Sequence, residues 1–177
     1  GVVQDPLPGG TRGARPEEDL LHQEYGMIRR GVIEDAQALT ELARAAKASW
    51  GYPEAWLREW EPELTISPEY IRGNTVFVAE SDGRIVGMVG VEDGREGPEI
   101  GRLWVSPASQ GEGWGLRLVR SAIELAATRR WPELRILSDP NAVPFYTKLG
   151  AVHVSDVPAP VAGTERTLPL LRLPVTG

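Results

Sequence analysis

The chain has 177 residues, 41% hydrophobic and 25% charged, which are the proportions of one ordinary globular domain with a full core. Nineteen basic against twenty-five acidic side chains give a net charge of -6 with no basic stripe, which argues against nucleic acid as a partner. Having no cysteine excludes disulfides, thiolate metal sites and a cysteine nucleophile and fits a cytoplasmic protein, and having only His22 and His153 argues against a Ser-His-Asp triad and a histidine metal cluster.

Residues 1–26 are rich in Gly, Pro and charge and read as a flexible extension, leaving 27–174 as the folded domain. They lack the apolar core of a signal peptide, and no apolar run in the chain approaches the roughly 18 residues of a membrane span. Met27 to Arg30 is predicted as the first strand. Asp35 then caps or opens a helix with Ala36, Leu39, Leu42, Ala43 and Ala46 at helical spacing, ending near Gly51. Trp50, Tyr52, Trp56 and Trp60 follow around Gly51 and Pro53, on a turn and a second short helix. These aromatics either pack in the core or line a pocket.

Thr75–Glu80 and Arg84–Val91 read as strands joined by the hairpin signal Ser81, Asp82 and Gly83. A second turn, Gly94 to Gly97, leads to Glu99 and a buried strand from Ile100 to Val105. A glycine-spaced turn comes next, and then a helix with Leu116, Val119, Ile123 and Ala126 at apolar spacing. Trp131 and Pro132 stop that helix, Leu134–Leu137 is a strand, and Asn141–Leu149 is a short helix closed by Gly150. Val152–Val154 and Thr167–Leu173 form a closing antiparallel pair, connected by a segment expected to be a mobile loop.

The glycine turn is where chemistry is expected. Gly111, Gly113 and Gly115 alternate where strand gives way to helix, so backbone N–H groups can converge on a ligand without Cβ atoms in the way. The first N–H groups of a helix lack internal partners and its dipole is positive at that end, so an anion is held there without a lysine. The same spacing also occurs where a helix merely packs closely on a strand. Two named phosphate motifs fail: Leu116 and Arg117 stand where a Walker loop needs Lys and Ser or Thr, and no third glycine completes GxGxxG.

The pattern of Gln110, Gly113 and Gly115 after Leu103, Val105 and Pro107 resembles the QxxGxG signature of the GCN5-related N-acetyltransferases. A second stretch, Ser138 to Ala151, resembles that family's later signature through Ala142, Tyr146, Leu149 and Gly150. The resemblance implies a single-domain α/β fold. Its mixed, mostly antiparallel sheet would have six to seven strands flanked by about four helices, with the fourth and fifth strands splayed apart around acetyl-coenzyme A.

It assigns pantetheine contacts to the backbone of Leu103, Trp104 and Val105, with Asn141 as a side-chain amide partner. Pyrophosphate contacts fall on Gln110, Gly111, Glu112, Gly113, Trp114, Gly115 and Leu116. It implies no metal. Tyr146 matches the tyrosine that protonates the departing thiolate, and Glu99 is the candidate base, with Glu92 next. The acceptor would be a primary amine, with a small molecule favoured over a protein because an acidic surface steers cations, and aromatics at 50–60 would suit an apolar or aromatic amine. Glu112, Trp114, Leu116 and Asp139 depart from the family pattern. The rival expectation is a non-catalytic coenzyme A-binding or interaction module that keeps the fold. A homodimer is left open.

Overall fold

A computed structural model describes residues 26–176; the extension expected over 1–26 lies outside the described residues except for Gly26. Seven strands form one sheet in the order β1-β2-β3-β4-β5-β7-β6. They are β1 (Gly26–Arg30), β2 (Thr75–Ser81), β3 (Arg84–Gly94), β4 (Gly97–Val105), β5 (Glu133–Leu137), β6 (Val152–Pro158) and β7 (Thr167–Pro174). Every neighbouring pair is antiparallel except β4 and β5, which are parallel.

The β2–β3 hairpin turns on Asp82 and Gly83, both at positive φ (52° and 73°). This is the turn whose twist matches that of the flanking strands.

Period-two alternation divides the core between the two faces of the sheet. Val76, Val78, Met88 and Trp104 pack with Leu39, Leu42, Ala43 and Ala46 of helix α1 (Ala36–Ala48). Val89, Val91, Leu103 and Val105 point the other way, onto Leu118, Val119, Ala122 and Ala126 of helix α5 (Trp114–Thr128).

Between α1 and β2 lie three short helices, α2 (Glu54–Glu59), α3 (Glu61–Leu64) and α4 (Pro68–Gly73). With α6 (Val143–Lys148) they bring the helices among the described residues to six, two of the short ones beyond the expected number. The local signal for α4 is Ser67-Pro68: the Ser67 hydroxyl accepts the Tyr70 N–H at 3.0 Å, and Pro68 takes the first helical position.

Three details differ from the sequence expectation. The buried face of α5 is Trp114, Gly115, Leu118, Val119, Ala122 and Ala126, while Leu116 and Ile123 are only partly buried. The closest approach is made by small residues, which a reading of large apolar side chains passes over; a Cβ on Gly87 of β3 would lie 2.8 Å from Leu118 Cδ1. Asp35 does not cap α1 through its side chain, but accepts the Val32 N–H at 2.8 Å and pairs with Arg29 at 2.8 Å, which holds its carboxyl low. The connection from Pro158 to Arg166 is tied down, with Val161 buried, a Val161–Thr164 bridge, and the Ala162 N–H donating to Glu59.

Candidate active site

β4 and β5 share a single register pair, Glu99 with Arg135, although β4 runs on to Val105 and β5 to Leu137. Past that pair the strands part, and the gap is a narrow cavity of about 70 Å³ bounded by Ile100–Trp104, Ile136–Asp139 and Tyr146. A larger cavity of about 540 Å³ shares Ile100–Arg102, Trp104 and Leu137 with it. The larger one is walled further by Trp60, Arg166 and the carboxylates Glu59, Glu63, Glu92 and Glu99.

At the far end of β4 the chain passes through a 3₁₀ turn (Pro107–Ser109) and an extended Gln110 into the glycine turn. Gly111 and Gly113 have φ of 82° and 85°, a region that costs an L side chain roughly 1–2 kcal/mol. Gly113 is the N-cap of α5, whose first bond is Arg117 N–H to Gly113 carbonyl at 3.2 Å. The N–H groups of Trp114, Gly115 and Leu116 therefore begin the helix without intrahelical partners. Gly115 is different: a Cβ there would meet Phe145 Cζ at 3.4 Å and Val105 Cγ2 at 3.9 Å, the edge of ordinary contact.

The departures from the family pattern at this turn support one another. The Trp114 indole N–H donates to the Glu112 carboxylate at 3.1 Å, and Arg117 stacks 4.4 Å over the Trp114 ring. Trp114 itself is buried against Gly26, where a Cβ would come within 2.6 Å of its ring.

Tyr146 sits on α6 and is buried, and among the described residues no hydrogen-bond partner meets its hydroxyl. Burial pushes this phenol up, so it is held protonated. Its ring packs edge-on against Phe145, with centroids 5.2 Å apart.

Glu99 and Glu92 are register partners across β3 and β4. Glu92 accepts the Tyr70 hydroxyl at 2.6 Å and Arg102 at 3.0 Å, and it fills the space that a Cβ on Gly101 would take at the β4 bulge. Glu99 is pushed up by burial and then by Glu92, with Arg135 opposing.

The aromatics at 50–60 divide between the two expectations. Trp60 lines the larger cavity, and Tyr52, Trp56 and Trp60 form a ring cluster with centroids 5.0–5.7 Å apart. Trp50 stands apart, with its indole N–H buried and unpaired.

Within that cluster lies a buried cation, Lys47, paired with Asp139 at 3.0 Å. Burial raises the Asp139 carboxyl, while Lys47 and, more weakly, the Asn141 N–H and the Tyr52 hydroxyl are among the groups that lower it, and it is held well below its usual range. Burial and Asp139 push Tyr52 up to about 12. Asn141, expected as a pantetheine partner, gives its side-chain N–H groups to Tyr52 and Asp139, both at 3.0 Å.

Sequence reading missed Arg102 and Arg166, which line the larger cavity, and Lys47 and Tyr70, which contact its lining residues Trp60 and Glu92. One signal was available for Lys47, which stands four residues after Ala43 and eight after Leu39, on the buried stripe of α1. Among the described residues no cluster of His, Cys, Asp and Glu could hold a metal ion, and no helix is long and apolar enough to cross a membrane.

Residues 37–151 match the model of a family described as the acetyltransferase (GNAT) family. No curated protein matches the chain. Among solved structures, a GCN5-related N-acetyltransferase from Rhodopseudomonas palustris superposes with a TM-score of 0.72 at 21% identity, over 85% of this chain and 96% of that one. The PaiA N-acetyltransferase from Thermoplasma acidophilum, in complex with coenzyme A, gives 0.66 at 18% identity over 84% and 98%. YncA from Salmonella typhimurium, with its cofactor acetyl-CoA, gives 0.65 at 20% identity over 86% and 95%.

Proposed function

The chain belongs to the acetyltransferase (GNAT) family, and from that premise we propose that it moves an acetyl group from acetyl-CoA to a primary amine of a small molecule. The observation that carries this reading is the opening of β4 from β5 after one register pair, with the glycine turn at one end and the unpartnered Tyr146 hydroxyl on its wall.

The residues present fit the donor. Gly111 and Gly113 shape a helix N-terminus suited to a pyrophosphate, with Gln110 and residues 112 and 114–116 around it. Leu103 and Trp104 border the gap a pantetheine arm would enter, Val105 follows them at the end of β4, and the Asn141 side-chain oxygen would accept from that arm. Acetyl-CoA supplies an acyl group activated as a thioester.

The chain's own residues supply the proton movements. The Tyr146 phenol holds its proton at Oη, where a departing sulfur needs one. Glu99, the candidate base, has a carboxyl shifted toward the pH at which it can both accept and release the proton of an incoming ammonium; Glu92 is the alternative. With no cysteine to carry an acyl group, direct attack by the amine in a ternary complex is the favoured route. The acceptor cavity sets Glu59, Glu63, Glu92 and Glu99 against Arg102 and Arg166 beside the rings of Trp60 and Trp104, surroundings that favour a cationic amine with an apolar or aromatic body.

Calorimetric titration with acetyl-CoA and with coenzyme A, followed by turnover on a panel of amines, tests the reading. Micromolar binding and acetylated product are expected. Binding without turnover on any amine would favour the non-catalytic coenzyme A-binding module, and no binding would overturn both.

A further inference from the structure

We propose that the Lys47–Asp139 ion pair is a positioning element of the transfer reaction, tying the aromatic wall of the acceptor cavity to the short helix that carries Tyr146. The inference rests on the proposed function and joins Lys47, outside the family signatures, to Asp139, which departs from the later one.

The two oxygens of Asp139 divide their work. Oδ1 accepts the Asn141 backbone N–H at 2.9 Å and the Asn141 side-chain N–H at 3.0 Å, which caps the 3₁₀ turn (Pro140–Ala142) that launches α6. Oδ2 accepts from Lys47 Nζ at 3.0 Å and the Tyr52 hydroxyl at 2.7 Å, with Arg166 Nη2 at 3.6 Å. One carboxylate thus joins α6 to the end of α1, the turn before α2 and the residue that leads into β7. Its side chain is 4% exposed and that of Lys47 10%.

The surroundings of Lys47 make the link exacting. Its ammonium lies 4.2 Å from the centroid of Trp60, 4.9 Å from Tyr52 and 5.9 Å from Trp104. Trp60 and Trp104 both line the acceptor cavity, and Trp104 also borders the gap beside β5.

Capping the 140–142 turn requires an acceptor atom, which an asparagine would provide. The negative charge on Oδ2 is needed for the cations from the acceptor side. A buried ion pair is weak evidence for stability, since apolar residues of similar volume often do as well, but it fixes where its two bearers stand. In this site the bearers are the wall that would hold the amine and the helix that holds the thiol's proton. A misplacement of about 1 Å between such groups costs on the order of 10²-fold in rate.

The test compares Asp139→Asn, which keeps an acceptor for the cap, Lys47→Met, which keeps the apolar stem, and the double variant. Per folded molecule, each single variant is expected to lose roughly 10- to 100-fold in kcat and to raise KM for the amine. The double variant should lose no more than the worse single one, as expected of two groups acting as a unit. A merely structural pair would lower Tm and leave kcat and both KM values unchanged, and that result, or losses that multiply in the double variant, would overturn the proposal.

Hydrogen exchange on full-length Lys47→Met gives a readout independent of turnover. Faster exchange is expected in both 52–60 and 140–148 with the β2–β3 hairpin unchanged, and no change in either segment would overturn the linkage. If the wild type acetylated no amine, the proposed function would fail while the exchange experiment still decided whether the pair joins the two segments.

Discussion

Glu92 and Glu99 face each other across β3 and β4 on the wall of the same cavity, yet their surroundings differ. Glu92 is held by Tyr70 and Arg102, whereas Glu99 accepts no hydrogen bond among the described residues and its carboxyl is raised by burial and by Glu92. A raised carboxyl pKa in the folded state means that the fold binds this proton more tightly than the unfolded chain does. The cost of ionising Glu99 is therefore present above its folded pKa and disappears below the unfolded value of about 4.3. Glu99→Gln should raise Tm near neutral pH, and the gain should vanish toward pH 4; a gain of equal size at both pH values would show that ionisation is not its source.

The same substitution should lower kcat/KM, with a loss that shrinks at high pH as the amine deprotonates unaided. A pH-independent loss, read from a rate profile, would assign Glu99 to positioning rather than proton transfer.

Gly101→Ala probes the alternative base. Its Cβ would take the space now filled by the Glu92 carboxylate, forcing that group from Tyr70 and Arg102 at an overpacking cost of about 1–3 kcal/mol. A kcat that stays at the wild-type value despite the lowered Tm would remove Glu92 from the mechanism.

For Tyr146→Phe, the expected loss in kcat is about 10²- to 10⁴-fold with the acetyl-CoA Kd nearly unchanged. Because no partner among the described residues meets this hydroxyl, stability should stay within about 1 kcal/mol or improve. Calorimetry and steady-state kinetics on one preparation separate these effects, and an undiminished kcat would remove Tyr146 from the chemistry.

Glycines at 113 and 115 should respond in opposite directions in the absence of ligand. Gly113→Ala forces a side chain to φ 85° and should cost roughly 1–2 kcal/mol. Gly115→Ala places a methyl at the edge of ordinary contact inside a helix and should stabilise by about 0.5–1 kcal/mol. Both should weaken acetyl-CoA binding if this turn holds the pyrophosphate, and thermal unfolding with and without the ligand reads both quantities.

The sequence by itself determined what depends on neighbours along the chain. Short apolar runs mark β2, β3 and β4, Asp82-Gly83 marks the hairpin turn, and the spacing of Gly111, Gly113 and Gly115 marks the start of α5; local backbone physics decides each of these. Even the buried face of α5 was partly misplaced, because small residues that let a helix approach a sheet carry little signal in a hydrophobic period. Only the tertiary structure decided which charges meet. Lys47 and Asp139 are ninety-two residues apart, and Tyr52 and Arg166 one hundred and fourteen, so no local spacing relates them. Their association comes from the packing of α1 on one face of the sheet and the return of β7 beside β5. Burial then demands a partner for each charge, and this long-range pairing put Asp139, one of the departures from the family pattern, at the centre of a network.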